Sequence, residues 1–501
     1  MGKLFKVNGN NCYQKNEYAD RNSFIGREAN MIDLPCYEDV KDRLPKPIWD
    51  GNEDAIECYN KVWKIGFSNL RKPNADAGFV SPFIDTAFNG YLFMWDSAFI
   101  MMFGRYASSV FDFQQTLDNF YSHQHKDGFI CREIFEDEAG EQWTRDDPCS
   151  TGPNVLPWAE WEYYTTTGNI ERLSAVFDPL VAYHKWLSLN RAWQDGTYWS
   201  YGNACGMDNL PRPLPGFDEE ASHSFMSWID ATTQMYLSAD ILVKMARELG
   251  RESETAWLSD EAEMLKRMIN EKMWDEELAF YCDKYRDGSL SRVKTVAPYW
   301  TLLAGIVPED RAERFIAHLE NENEFKRPNR VPALSADHPY YQALFGYWCG
   351  GVWAPTNYMI MRGLEKYGYH KLAREIGVTY HDYVINVFRK EGTVFEYYSP
   401  ELPYMNSGKR DFVGWGGIAP VAVLFEFVFG IRSNAKDKHI TWRVGCTERH
   451  GIERYPLGSG TVDLLCEARQ SADERPVITV RSNTPVTVEV IWNDETWEIK
   501  A

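Results

Sequence analysis

Between about residues 53 and 430, strongly apolar stretches that end at a glycine alternate with amphipathic stretches that follow at once. FMWDSAFIMMFG runs into RYASSVFDFQQTLDNF, and PWAEWEYYTTTG into NIERLSAVFDPLVAYHKWL. ATTQMYLSADILVKMARELG runs into RESETAWLSDEAEMLKRMI, and APTNYMIMRGLEKYG into YHKLAREIGVTYHDYVINVF. Gly104, Gly168, Gly250 and Gly368 fit the left-handed residue that ends a helix. A helix apolar on most sides suits an inner position, and an amphipathic one suits an outer position. A repeated inner–outer hairpin is the signature of a helical toroid or solenoid. Six such hairpins closing on themselves make an (α/α)6 barrel, so the pattern predicts a mainly α chain with that barrel over residues 51–431. The apolar run Ile418 to Ile431 is too short for a membrane span, which needs about 18 apolar residues, and reads as a buried helix.

The periodicity changes after about residue 432. HITWRV, TVDLLCEA, VITVRS, VTVEVIW and TWEIK are short, β-branched and alternating, and are separated by turn residues such as Gly458-Ser459-Gly460 and Asn483-Thr484-Pro485. They predict a small antiparallel β domain over 432–501. Residues 1–50 are irregular, with Pro45 and Pro47 near their end, and read as an N-terminal extension packed on the barrel.

Composition narrows the function. The formal net charge is −20, which argues against a nucleic-acid partner, since phosphate binding needs clustered Lys and Arg. It equally disfavours an anionic membrane surface. The first residues lack the apolar run of a secretory signal, and the ten cysteines have no paired spacing, so they read as free thiols of a cytoplasmic protein. The chain carries 19 Trp, 28 Tyr and 27 Phe. Such side chains pack cores, and they also make platforms for the apolar faces of sugar rings.

Four segments could carry chemistry. In TYWSYGNACGMDNLPRPLPG, residues 197–216, Asp208 is surrounded by Trp199, Tyr201, Met207 and Leu210. It either caps a turn or, poorly solvated, keeps its proton and serves as a general acid. In GTVFEYYSPELPYMNSGKRDFVGWGGIAP, residues 392–420, Glu396 lies in an aromatic run. It is either a strand-edge residue paired with a base such as Arg410 or a catalytic carboxylate, with Glu401 as a competitor. Asp96 interrupts the apolar helix GYLFMWDSAFIMMFG beside Trp95. It is an internal helix link or an acceptor for sugar hydroxyls. In YWCGGVWAPTNYMIMRG, Trp353 and Asn357 share one helix face. The pair His123 and His125 has no third His or Cys at ligand spacing, so no metal is expected. Neither a phosphate-binding glycine loop nor a G-x-S-x-G elbow is present, which leaves acid–base chemistry by carboxylates.

In order along the chain, FMWDSAF, CGMDNLPRP, GGVWAPTNYM, FEYYSPE and DFVGWGGIAP resemble the segments of the trehalase and processing-glucosidase group of glycoside hydrolases. The similarity is greatest to family 63 and its bacterial mannosylglycerate-hydrolase-like members, and covers roughly residues 55–430. Cys205 stands where the family has Ser, and Gly416 where it has Ser or Thr. The resemblance implies an inverting, exo-acting hydrolase of a small α-glucoside or α-mannoside, with Asp208 as general acid and Glu396 as general base. It implies Asp96, Trp95, Trp353, Asn357 and Trp415 around the sugar. Gln124 and Arg132 are further expected contacts, and Arg212 either meets an aglycone carboxylate or forms a structural salt bridge. No cofactor is implied, and the expected partner is a small carbohydrate. Two competing readings are a phosphorylase on the same barrel and a non-catalytic sugar-binding protein.

Overall fold

The computed structural model describes residues 4–7, 11–212, 218, 221–402 and 406–501; the stretch 213–216 of the Asp208 segment lies outside them. Among the described residues the main helices are α1 (Glu53–Ser68), α2 (Met94–Gly104), α3 (Asp118–Ser122), α4 (Leu156–Thr167), α5 (Ile170–Asn190), α6 (Ile229–Leu249), α7 (Ala256–Lys272), α8 (Trp300–Ala304), α9 (Glu309–Ile316), α10 (Ala354–Lys366), α11 (His370–Glu391) and α12 (Ile418–Val428). The chain is mainly helical, with small sheets.

Contacts between helices follow the inner–outer alternation. α2 packs on α4, α4 on α6, α6 on α8, α8 on α10, α10 on α12, and α12 returns to α2. In α2 every residue but Asp96 is buried, and in α12 all are, as expected for helices enclosed on every side. The amphipathic helices lie against these: α5 on α4 and α6, α7 on α6, α11 on α10 and α12, and α1 on α11 and α12. α12 ends with Phe429 N–H donating to Leu424 O at 2.9 Å, one residue wider than α-helical spacing.

Gly168, Gly250 and Gly368 take positive φ values of 64°, 65° and 78° at helix ends. Gly104 does not: its φ is −56°. A Cβ there would stand 3.0 Å from Phe113 Cβ, so this glycine serves close packing and not a left-handed cap. The expected second helix of the first pair is broken as well. Asp112 accepts from Gln114 N–H at 3.1 Å, and the chain forms a tight turn, Phe113–Leu117, before the short α3. Such a side-chain bond offers the backbone an alternative to a regular helix.

Two four-stranded sheets follow α12. One has the order Ile431–Asn434, His439–Arg443, Thr487–Trp492, Glu495–Lys500; the other Ile478–Ser482, Gly460–Cys466, His450–Leu457, Lys46–Trp49. Pairing is antiparallel except between His439–Arg443 and Thr487–Trp492, which run parallel, a departure from the all-antiparallel expectation. The edge strand Lys46–Trp49 comes from the N-terminal segment. Period-two burial places Ile440, Trp442, Val488, Val490, Val462 and Leu464 inside, and rings such as Phe429–His450 and Tyr106–Tyr455 join the sheets to the helices. Among the described residues no helix is long and apolar enough to cross a membrane.

Candidate active site

A cavity of about 500 Å³ opens where loops from several helix connections meet; its lining includes Asp96, Asp208, Glu396, Arg132, Trp95 and Trp415. Each acid arrives by a different local device.

Asp96 sits in the first turn of α2. The strand Tyr91–Phe93 that leads into α2 pairs with Glu133–Phe135, and Met94 N–H donates to Arg132 O at 2.8 Å. That pairing brings Arg132 and Glu133 beside Asp96. Burial, and then the nearby Glu396 and Asp208, push the Asp96 carboxyl up to about 8, because a second negative charge in a poorly solvated cavity is costly. Burial also raises Glu133, although Arg132 pulls the other way. Arg132 Nε donates to Cys149 O at 2.6 Å, its guanidinium pairs with Glu133, and its Cζ lies 5.5 Å from the Trp143 ring centre.

Asp208 is carried by an irregular loop anchored on both sides. Upstream, Gly206 takes φ +78°, and a Cβ there would lie 2.9 Å from the Trp95 ring, so only glycine lets the loop lie flat on Trp95. Cys205, the departure from the family's Ser, donates its thiol to Gly202 O at 3.0 Å. Downstream, Arg212 is fully buried and doubly bidentate, to Asp230 at 2.8 and 2.7 Å and to Asp283 at 2.9 and 2.7 Å. The Tyr347 hydroxyl donates to Asp208 Oδ2 at 3.4 Å. Burial, with Asp208, Glu396 and Asp96 nearby, raises the Tyr347 phenol, which therefore stays protonated.

Glu396 lies in the strand Phe395–Tyr398, paired with Asn406–Arg410. Phe395 faces Arg410 and Tyr397 faces Ser407, so two residues, Gly408 and Lys409, oppose Glu396 alone. A bulge of this kind re-aims a side chain. Gly408 adopts φ +81°, and a Cβ there would fall 2.5 Å from Glu396 Oε2. Lys409 N–H donates to that Oε2 at 3.0 Å, and Trp415 Nε1 donates to the Glu396 backbone carbonyl at 2.8 Å. Burial raises the Glu396 pKa, while the Lys409 amide and charge oppose the rise.

Four expected sugar contacts lie elsewhere. Asn357 is buried and clamps a neighbouring irregular segment, donating to Val331 O at 3.1 Å and accepting from Val331 N–H at 2.8 Å. Trp353 stacks at 3.9 Å on Trp348, which itself lines the cavity, and at 4.5 Å on Tyr397. It supports the wall from behind. Gln124 donates to Gly128 O and Pro179 O at 3.1 and 2.8 Å, next to a separate surface pocket. Arg212 is buried away from the cavity, and four of its five N–H donors go to Asp230 and Asp283. Glu401 is held by Arg327 at 2.7 and 3.0 Å, and Arg410 pairs with Glu391 at 3.3 Å and not with Glu396. His123 bonds to Asn119 O and Ala77 O at 2.7 and 2.9 Å, and His125 to Glu141 at 2.9 Å.

The cavity also gathers residues that the sequence reading missed: Glu133, Tyr347, Trp348, Lys409 and Phe412. Glu133 directly follows Arg132, and Tyr347-Trp348 are separated from the Gly350-Gly351 pair by Cys349 alone, so both lay within segments already singled out. Lys409 gave no signal, because it acts through its backbone N–H and a bulge.

The three candidate acids and Glu133 line one aromatic-walled cavity of sugar size, and burial raises the pKa of Asp96, Glu133 and Glu396. Proton donation and water activation are the chemistry such a set can do. The family model described as the mannosylglycerate hydrolase MGH1-like glycoside hydrolase domain matches residues 90–412, which include all three acids. An uncharacterized protein of Borreliella burgdorferi is 27% identical over 85% of this chain and 90% of its own length. The mannosylglycerate hydrolase MGH2 of Selaginella moellendorffii is 30% identical over 31% of this chain and 30% of its own. The probable mannosyl-oligosaccharide glucosidase of Schizosaccharomyces pombe is 27% identical, and the match spans 52% of this chain but only 33% of that protein. Among solved structures, a GH63 mannosylglycerate hydrolase from Thermus thermophilus in complex with glucose superposes with a TM-score of 0.59 at 21% identity, over 72% of this chain and 99% of its own. On the family match, the chain belongs to the mannosylglycerate hydrolase MGH1-like family of glycoside hydrolases.

Proposed function

We propose that this glycoside hydrolase cleaves the α-glycosidic bond of a small glucoside or mannoside from its sugar end, with inversion, inside an (α/α)6 barrel. The observation that carries the reading is that Asp208 and Glu396, supplied by separate loops, line one cavity together with Asp96. Asp208 protonates the leaving oxygen. Glu396, aimed by the bulge, takes a proton from a water on the opposite face of the sugar ring. Asp96 keeps its proton at neutral pH in the unliganded cavity, so it offers a donor as well as an acceptor to a pair of non-reacting hydroxyls. Trp95 and Trp415 flank the sugar, and Arg132 stands at the same wall. The mannosylglycerate hydrolases among the relatives support a glycosyl-glycerate as one substrate class.

The helix-to-helix circuit from α2 back to α2 supports six hairpins over residues 51–431, with 432–501 as a β domain and 1–50 as an extension that lends it Lys46–Trp49. Buried free thiols such as Cys58, Cys131, Cys282 and Cys466 support a cytoplasmic setting.

The test is turnover of mannosylglycerate, glucosylglycerate and trehalose by the wild type and by Asp208→Asn and Glu396→Gln. Each variant is expected to stay folded and to lose roughly 10³-fold or more in kcat. Near wild-type turnover by either variant removes that residue from its role. Product release only when inorganic phosphate is added would favour the phosphorylase reading.

A further inference from the structure

The residue after Asp208 spends its side chain on a different loop. Asn209 Nδ2 donates to Gly346 O at 3.1 Å, its Oδ1 accepts from Trp348 N–H at 2.9 Å, and its backbone carbonyl accepts from the Cys349 thiol at 2.9 Å. The two side-chain bonds fall on either side of Tyr347, whose hydroxyl reaches Asp208.

The loop so gripped is strained. Phe345 and Tyr347 have φ values of +56° and +54°, a region that bulky L residues rarely enter. The segment is closed by Gln342 N–H to Cys349 O and by Cys349 N–H to Gly346 O, both at 2.8 Å. Glycine is required at 350, where a Cβ would fall 2.3 Å from Gln342 O. Strain of this kind persists only where neighbouring bonds over-determine it, and it gathers at functional sites. Here the two Asn209 side-chain bonds are the clamp between the strained loop and the acid's own loop.

We propose that Asn209 is a positioning residue: by fixing Gly346 and Trp348 it holds the Tyr347 hydroxyl against Asp208, and Tyr347 in turn sets the orientation and proton affinity of the acid. This rests on Asp208 being the general acid. A hydroxyl that donates to a carboxylate favours its ionised form. Its loss therefore raises the acid's proton affinity and moves the alkaline limb of the kcat profile to higher pH.

The experiment compares pH profiles of kcat and KM for wild type, Asn209→Ala, Tyr347→Phe and the double variant on the glycoside that turns over fastest. Asn209→Ala is expected to lose at least about tenfold in kcat with KM within about threefold, and to share the upward shift of the alkaline limb with Tyr347→Phe. The double variant should be no worse than Asn209→Ala by more than about twofold, because both act through one contact. The proposal is overturned by an unshifted limb in Tyr347→Phe, a result available even where Asn209→Ala does not fold. It is equally overturned by losses that multiply in the double variant, or by wild-type kcat in Asn209→Ala. An active Asp208→Asn would sink the acid assignment itself. An inactive Asp208→Asn beside a normal Asn209→Ala would sink only the positioning role.

Discussion

At the scale of single residues, the site balances charge against burial. Asp96 and Glu396 are both raised by desolvation, and for Glu396 the Lys409 amide and charge oppose the rise. A base must be ionised to accept a proton from water, so under the proposed role of Glu396 its pKa sets the acidic limb of kcat/KM, and that limb should lie above the position of an ordinary glutamate. Lys409→Met removes the opposing charge while keeping the bulge backbone. The acidic limb should then move to higher pH, by about half a unit, and an unmoved limb would show that Lys409 acts through its amide alone. The three acids were legible in the sequence because a carboxylate is conspicuous among Trp, Tyr and Phe. Trp353 and Asn357 lie outside the cavity lining: shared helix spacing says which residues lie on one face, and not whether that face meets a cavity or another segment of the chain. For Arg212 the structure has the salt-bridge alternative, with partners, Asp230 and Asp283, that the sequence alone does not name.

At the scale of elements, the chain places its acids with turns and bulges and leaves the helices as the frame. Gly206 and Gly408 are the two points where a side chain would collide with Trp95 or with Glu396 itself. Gly408→Ala adds one methyl group at φ +81°, and the base must swing away. A displacement of about 1 Å costs on the order of 10²-fold in rate, so kcat should fall by about that factor while the variant keeps its cooperative unfolding. Turnover within threefold of wild type would mean that the bulge does not aim Glu396. Little of this was readable in advance. Five of the β-domain strands were, since alternation and turn residues are local signals, but Ile431–Asn434 and His450–Leu457 were not, and the parallel pairing of His439–Arg443 with Thr487–Trp492 depends on chain topology that local patterns do not encode. Gly104 shows the same limit, since a glycine that ends an apolar run can serve a close ring contact as well as a cap.

At the scale of the molecule, a buried ionic network joins the helices away from the catalytic cavity. Arg105 at the end of α2 pairs with Glu426 of α12 at 2.7 Å and with Glu162 of α4 at 3.4 Å. Arg362 of α10 pairs with Glu162 at 2.8 Å, and Arg432 with Glu426 at 2.9 Å. Four inner helices are tied in this way, and none of these residues lines the catalytic cavity. Arg105→Met leaves buried carboxylates short of a partner, at a cost of about 3–5 kcal/mol, so Tm should drop by about 3–5 °C with specific activity at 25 °C kept within about twofold. A matching loss of activity in still-folded protein would make the network part of the site. The inner–outer helical pattern was legible because all-round apolar and amphipathic stretches alternate, whereas this network was hidden in scattered polar positions that become neighbours only when the helices meet. The account as a whole turns on an acid and a base working from opposite faces of one sugar ring. The most direct measurement is proton NMR of the first sugar released from an α-linked glycoside, recorded before mutarotation. The β anomer should appear first, and initial release of the α anomer would contradict the account.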